Sequence, residues 1–277
     1  RRVYMVIDTH VHTGLFVSPE KVVDMSQEVV LEALKRHNID LAIVSATAEE
    51  VDCLLQPIPK SLQKTQEQAF LESINFARNN MDKIRIMPWV KPASETADER
   101  LEELIRENRD IVCGIKVHPY HSDIEFDSER VEPYIKLAEK YKLPVVVHTA
   151  DYDKSSPTRD YNMAKKYPNV NFVMVHMGLC TDNKEAIELM GKLPNLYGDT
   201  TWVPLESTVE IVKRYGSKRL FFGTDSPIDG VDTYVKNAAG EPSLYLRYFN
   251  ELEGIIGSEA YADIMYRNAM EFFGINL

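Results

Sequence analysis

From its first residues the chain alternates short apolar, β-branched runs with longer stretches whose apolar positions recur at helical spacing. The short runs predict eight strands, at residues 3–7, 41–44, 84–90, 111–117, 144–148, 170–175, 195–201 and 219–223. Between them the 3.6-residue pattern predicts helices. The first starts at Ser18 as cap and Pro19 in the first turn, with Val22, Val23, Met25, Val29, Val30, Ala33 and Leu34 on its apolar face. The others span residues 66–78, 97–108, 128–141, 158–167, 183–192, 205–215 and 243–256. A last apolar stripe, 258–273, predicts an extra C-terminal helix against the outside of the fold.

Eight strand-helix units in strict alternation predict an α/β chain closed into a single (β/α)8 TIM barrel spanning residues 1–277. A doubly wound open sheet is the competing arrangement, but no GxGxxG or P-loop sequence follows any strand. No repeat or composition break marks a second domain. The longest irregular segments, 49–61, 150–157 and 226–242, follow the second, fifth and eighth strands. In a barrel all three fall on the C-terminal rim, where substrates bind.

Composition narrows the partners. The formal net charge is -11, from 43 acidic against 32 basic residues, and no Lys/Arg cluster stands out. Nucleic acid and anionic membrane surfaces are therefore excluded as expected partners. No apolar run approaches the roughly 20 residues of a membrane span, and the chain opens on no signal-peptide pattern, so a cytoplasmic location is expected. Residues 1–4 precede the first methionine, Met5, and carry no expected function. Cys53, Cys113 and Cys180 are widely separated and form no CxxC pair. That fits a reducing compartment and argues against a thiolate zinc site or a disulfide framework.

The chemistry gathers at the strand ends. His10 and His12 lie two apart at the end of the first strand, so alternation puts both imidazoles on one side, half of a transition-metal site. Lys116 and His118, also two apart, end the fourth strand; His148 ends the fifth, His176 the sixth, and Asp225 follows the eighth. A closed barrel delivers all of these to one rim, a set suited to zinc, manganese or iron. Singly, each has an ordinary explanation as a packed histidine, an ion pair or a turn cap. Five strand ends with one chemistry do not. His37 and His121 lack this context: His37 closes a helix near its negative dipole end, and His121, on a loop after Tyr120, is expected to face solvent, with substrate contact as the alternative.

The stretches Asp8-Thr9-His10-Val11-His12, Gly114 to Pro119, His148-Thr149, Val175-His176-Met177-Gly178, Gly223-Thr224-Asp225-Ser226-Pro227 and Arg267 to Gly274 resemble the amidohydrolase superfamily over almost the whole chain. The branch they are most similar to is the amidohydrolase-related group, which holds hydrolases and nonoxidative decarboxylases such as aminocarboxymuconate semialdehyde decarboxylase. The resemblance implies that His10, His12, His148 and Asp225 bind a divalent metal, zinc foremost. His176 would bind a second ion or orient the reacting group. Lys116 matches the place where binuclear relatives carry a carboxylated, bridging lysine. One ion is favoured, with a second allowed by His176 and Lys116.

The implied activity is hydrolysis of a small-molecule amide, ester or lactone by metal-activated water, with Asp225 as general base and then acid, and His176 hydrogen-bonding the water or the oxyanion. The first alternative is a metal-dependent nonoxidative decarboxylase of a small carboxylic acid, with Lys154, Arg159 and Lys236 as candidate carboxylate partners. A non-catalytic barrel acting as a binding module is the second. His118, Tyr120 and Trp202 are expected to bind substrate, with Tyr152 and Tyr234 also placed to line the pocket. A homodimer is only the general expectation for a soluble enzyme.

Overall fold

The computed structural model describes residues 4–17, 22–47 and 63–276. Nine strands appear among them: β1 (Ile7–Val17), β2 (Val22–Met25), β3 (Leu41–Ala46), β4 (Ile84–Ile86), β5 (Ile115–Val117), β6 (Val145–Ala150), β7 (Phe172–Leu179), β8 (Leu196–Asp199) and β9 (Leu220–Phe221). All pair in parallel except β2, which folds back antiparallel on β1. The ladders run β2-β1-β3-β4 and β5-β6-β7-β8-β9.

Two seams join the ladders into a closed (β/α)8 barrel. At one, Thr9 N–H donates to Phe222 O at 2.9 Å and Asp225 N–H to His10 O at 2.9 Å. At the other, Cys113 N–H donates to Ile86 O at 2.9 Å and Lys116 N–H to Pro88 O at 2.9 Å. Closure removes the sheet edges, and every described parallel strand delivers its C-terminal end to one mouth.

The strands carry two apolar layers. Outward residues such as Ala42, Val44, Ile84, Ile86, Val145 and Val147 pack in the large cluster with the helices. Inward residues near the strand starts, Ile7, Leu41, Ile43, Val146, Val173 and Phe221, form a second cluster filling the barrel's lower end. The C-terminal segment closes that end: Ala269, Phe273 and Ile275 pack into the inner cluster. The expected position outside the barrel holds for the first half of the segment, where Tyr261, Ile264 and Met265 join the outer cluster, and is corrected for its end. The helix Ser258–Ala262 runs through a π turn at Asp263–Arg267 into Asn268–Phe272, and Asn268 Nδ2 donates to Ser217 O and Leu220 O beneath β9.

Three further expectations are revised. The first strand begins at Ile7, where 3–7 was expected, and carries His10 and His12 within it. Val22 to Met25, expected on a helical face, is strand β2: Val22-Val23 followed by Asp24-Met25 satisfies alternation as well as helical period, and the hairpin pairing decides between them. The helix starts at Gln27, where Ser26 Oγ accepts from Val29 N–H and Asn38 ends it in the left-handed region. The expected helix 243–256 is divided into Tyr245–Asn250 and Leu252–Ile256. Ser18, Pro19, Cys53 and the loop 49–61 lie outside the described residues.

Candidate metal centre

The C-terminal mouth opens into a cavity of about 580 Å3 lined by His10, His12, Trp89, Lys116, His118, Tyr120, His121, His148, Tyr152, His176, Trp202 and Asp225, among others. Departures from regular strand geometry aim several of these inward. With Ile7 facing inward, simple alternation would turn Thr9 and Val11 to the barrel's interior. A register shift between Asp8 and Val11 reverses the phase, so Val11 joins the outer cluster and His10 and His12 face the cavity. On β7, Val173 and Val175 face inward, and alternation would send His176 outward. Left-handed backbone at His176 (φ 69°) and Met177 (φ 50°) turns the imidazole back. Trp202 (φ 56°) and Asp225 (φ 64°) share this costly conformation, which persists only where the surroundings enforce it.

Donor atoms of His10, His12 and Asp225 lie within 4.8 Å of one another, and all three residues are buried. His10 Nε2 is 2.9 Å and His12 Nε2 3.1 Å from Asp225 Oδ1, and the two Nε2 atoms are 3.0 Å apart. The opposite nitrogens set the tautomers. His12 Nδ1 lies 3.3 Å from the Ser45 carbonyl, and His10 Nδ1 faces Asp199 Oδ2 at 3.4 Å. With Nδ1–H turned to those oxygens, each Nε2 presents a lone pair toward the other and toward a carboxylate oxygen. Three converging lone-pair donors require a cation, so this donor set fits a divalent metal.

The electrostatics agree. Burial on its own would raise the Asp225 carboxyl, but His10 and His176 hold it well below the usual carboxylate range. Burial and Lys116 oppose a charge on His10, yet Asp225 and Asp199 raise its pKa, because a proton there serves as the cation the cluster demands. Burial lowers His12 to about 4 and Lys116 to about 8, the latter against the pull of Asp225 and Asp199.

The other expected residues adjoin this triad. Lys116 Nζ is 3.4 Å from His10 Nε2, and His176 Nε2 is 3.9 Å from Asp225 Oδ2. His148 stands outside the tight cluster but lines the same cavity, its ring centroid 4.8 Å from His176. His118 stacks between Trp89 (5.0 Å, 7°) and His148 (3.8 Å, 16°). Trp202 Nε1–H donates to Asp225 Oδ2 at 2.7 Å, and Tyr120 and Tyr152 meet edge to face at 5.1 Å on the cavity wall.

Several residues depart from expectation. His121 is buried against His118 and lines the cavity. Tyr234 is fully buried and donates to Asp8 Oδ2, away from the cavity lining. Lys154 pairs with Asp123 and Arg159 with Asp127 and Asp153, and neither they nor Lys236 is among the described residues lining the cavity. His37 ends its helix as expected and lies 3.7 Å from Asp232.

Sequence reasoning missed Asp199 and Trp89. Asp199 accepts from His176 N–H at 3.0 Å and Thr201 Oγ1–H at 2.6 Å while facing His10, so one carboxylate orients two site histidines. Its signal was present as a carboxylate ending the weaker seventh strand. Asp8, which burial raises to about 7, accepts from Thr224 Oγ1, Tyr234 and His10 N–H, tying β1 to the Asp225 loop.

No curated protein matches the sequence. Among solved structures, the chain is similar to 5-carboxyvanillate decarboxylase from Novosphingobium aromaticivorans, complexed with manganese and 4-hydroxy-3-methoxy-5-nitrobenzoic acid, at 14% identity and TM-score 0.71, covering 99% of this chain and 97% of that one. It is also similar to 2,6-dihydroxybenzoate decarboxylase from Rhizobium, at 14% identity and TM-score 0.69, covering 98% and 99%. A probable 2-pyrone-4,6-dicarboxylic acid hydrolase from Acinetobacter baumannii with citric acid bound follows at 14% identity and TM-score 0.64, covering 98% and 99%. At such identities the likeness speaks for the barrel alone. The sequence profile of the amidohydrolase family, however, matches residues 7–275, and with the donor set gathered at the barrel mouth the chain belongs to that family.

Proposed function

We propose that the cavity hydrolyses a small-molecule amide, ester or lactone. The observation that carries this reading is the state of Asp225: a buried carboxylate, held ionised, with Oδ1 between two Nε2 lone pairs and Oδ2 fixed by the Trp202 indole N–H. A divalent ion, zinc or manganese, held by His10, His12 and Asp225 with His148, His176 and Lys116 beside it, would supply Lewis-acid activation of water and of the scissile carbonyl. Asp225 takes the proton of the attacking water and returns it to the leaving group. His176 Nδ1 lies 3.0 Å from the Thr201 carbonyl, so its neutral ring offers the Nε2 lone pair to the cavity and accepts from water. Donation to the developing oxyanion then falls to the Lys116 ammonium, a charged donor in a dry site.

Nonoxidative decarboxylation is the second reading. Lys116 favours it, because among the described lining residues this is the one lysine or arginine and it lies beneath aromatic walls, 5.8 Å from the centre of the Trp89 ring. The activities named for the two similar decarboxylases point the same way. Metal-replete protein tested against lactones, esters, amides and aromatic acids separates the readings: hydrolysis releases titratable acid, decarboxylation releases carbon dioxide. Turnover with neither would defeat both.

A further inference from the structure

His118 stands in the cavity wall with one ring nitrogen fixed by the backbone. The short helix Pro119–Ser122 starts on it, and its Nδ1 accepts the His121 backbone N–H at 3.3 Å. A backbone N–H only donates, so Nδ1 carries the lone pair and Nε2 carries the hydrogen. A flip of the ring, which would put carbon where Nδ1 meets the His121 N–H, is hindered because the ring is clamped between the Trp89 indole on one face and the His148 imidazole on the other.

His118 is 7% exposed and lines the cavity, and no described protein group accepts a hydrogen bond from Nε2. Nε2–H therefore opens onto the cavity, where water or a ligand oxygen accepts from it. We propose that His118 Nε2–H reads an acceptor oxygen of the substrate, a carbonyl or carboxylate, and so selects molecules that carry one beside a planar group. This rests on the cavity being the substrate site; it does not depend on which reaction follows.

The test uses metal-loaded protein and three ring probes: benzamide and benzoate, which present acceptor oxygens, and toluene, which does not. His118→Phe keeps a stackable ring without the donor, and His118→Gln keeps an amide N–H donor. Benzamide affinity is expected to fall about tenfold in His118→Phe and to be largely retained in His118→Gln, the scale of one hydrogen bond left unmade. Toluene affinity and bound metal are expected to match wild type in both. Nitrogen-15 spectra of histidine-labelled wild-type protein are expected to show His118 as the neutral Nε2–H tautomer, a readout independent of how either variant folds. Unchanged benzamide affinity in His118→Phe, equal loss in both variants, loss of metal, or an Nδ1–H tautomer would overturn the assignment. Because these are binding measurements, they stand apart from any failure to find turnover.

Discussion

The two ends of the barrel are made by the same strands and obey different rules. At the lower end Ile7, Leu41, Ile43, Val146, Val173 and Phe221 follow alternation and close into an apolar layer sealed by Phe273 and Ile275. At the upper end the same strands bring His10, His12, Lys116, His148 and His176 into one cavity, and two of them break alternation to do so. The lower end is packed for stability and the upper end for chemistry. Strained backbone at His176, Trp202 and Asp225 is tolerated because the layer below and the helices outside fix the strands that carry them. The comparison implies that the two ends fail separately.

The largest effect is expected at the upper end. Asp225→Asn is expected to lower turnover by about a thousandfold or more while leaving the thermal transition near that of wild type; near-normal turnover in a metal-loaded variant would remove Asp225 from the mechanism. The converse change lies below. Phe221→Ala, in the fully buried inner layer, is expected to cost about 3–5 kcal/mol by chemical denaturation. Molecules that remain folded should hold as much metal as wild type, and metal loss out of proportion to unfolding would mean that the ends are coupled.

Intermediate effects probe the groups between substrate site and scaffold. Asp199→Asn removes the charge facing His10 Nδ1 and is expected to weaken metal binding about 10- to 100-fold, measured by competition with a chelator. Trp202→Phe deletes the hydrogen bond to Asp225 Oδ2 and is expected to reduce kcat by about tenfold with little change in stability. An equal fall in thermal stability would assign Trp202 to packing.

The smallest expected effect lies away from both ends. Asp160 is fully buried, neither carboxylate oxygen has a hydrogen-bond partner among the described residues, and burial with Asp127 nearby raises its pKa well above the ordinary value. Its folded pKa exceeds the unfolded one, so the folded state binds the proton more tightly. Stability is then greatest below the unfolded pKa and is lost as pH rises through the folded pKa. Asp160→Asn is expected to cancel that loss, so its Tm gain over wild type should grow as pH rises above the ordinary carboxylate range, reaching about 2–4 °C, the scale of 1 kcal/mol in a domain this size. A gain independent of pH would contradict the assignment.

The same division explains what the sequence made legible. Periodicity found the helix Leu205–Tyr215 to the residue and located all eight barrel strands, because a strand buried on both faces and a helix buried on one leave plain apolar signatures. It placed Val22 to Met25 on the wrong element, where four residues satisfy both periods and pairing with β1 decides. It put the whole C-terminal helix outside the barrel, which holds for Tyr261, Ile264 and Met265 but not for Ala269 and Phe273, because an apolar stripe does not say which surface it covers. The site was legible through chemistry, from histidine, lysine and aspartate types at successive strand ends. The bulge at Asp8 to Val11 and the left-handed turn at His176 leave no comparable pattern. Asp199 was missed because its strand is short and weakly apolar, and His121 because solvent was assumed beside a tyrosine on a loop.

The central claim is that His10, His12 and Asp225 share a divalent ion. Elemental analysis of protein purified without chelator and then equilibrated with zinc or manganese tests it directly, alongside the double variant His10→Ala/His12→Ala. At least one equivalent per chain in wild type, lost in the folded double variant, is the predicted result. Less than about one equivalent in wild type, or full retention in the variant, would contradict it.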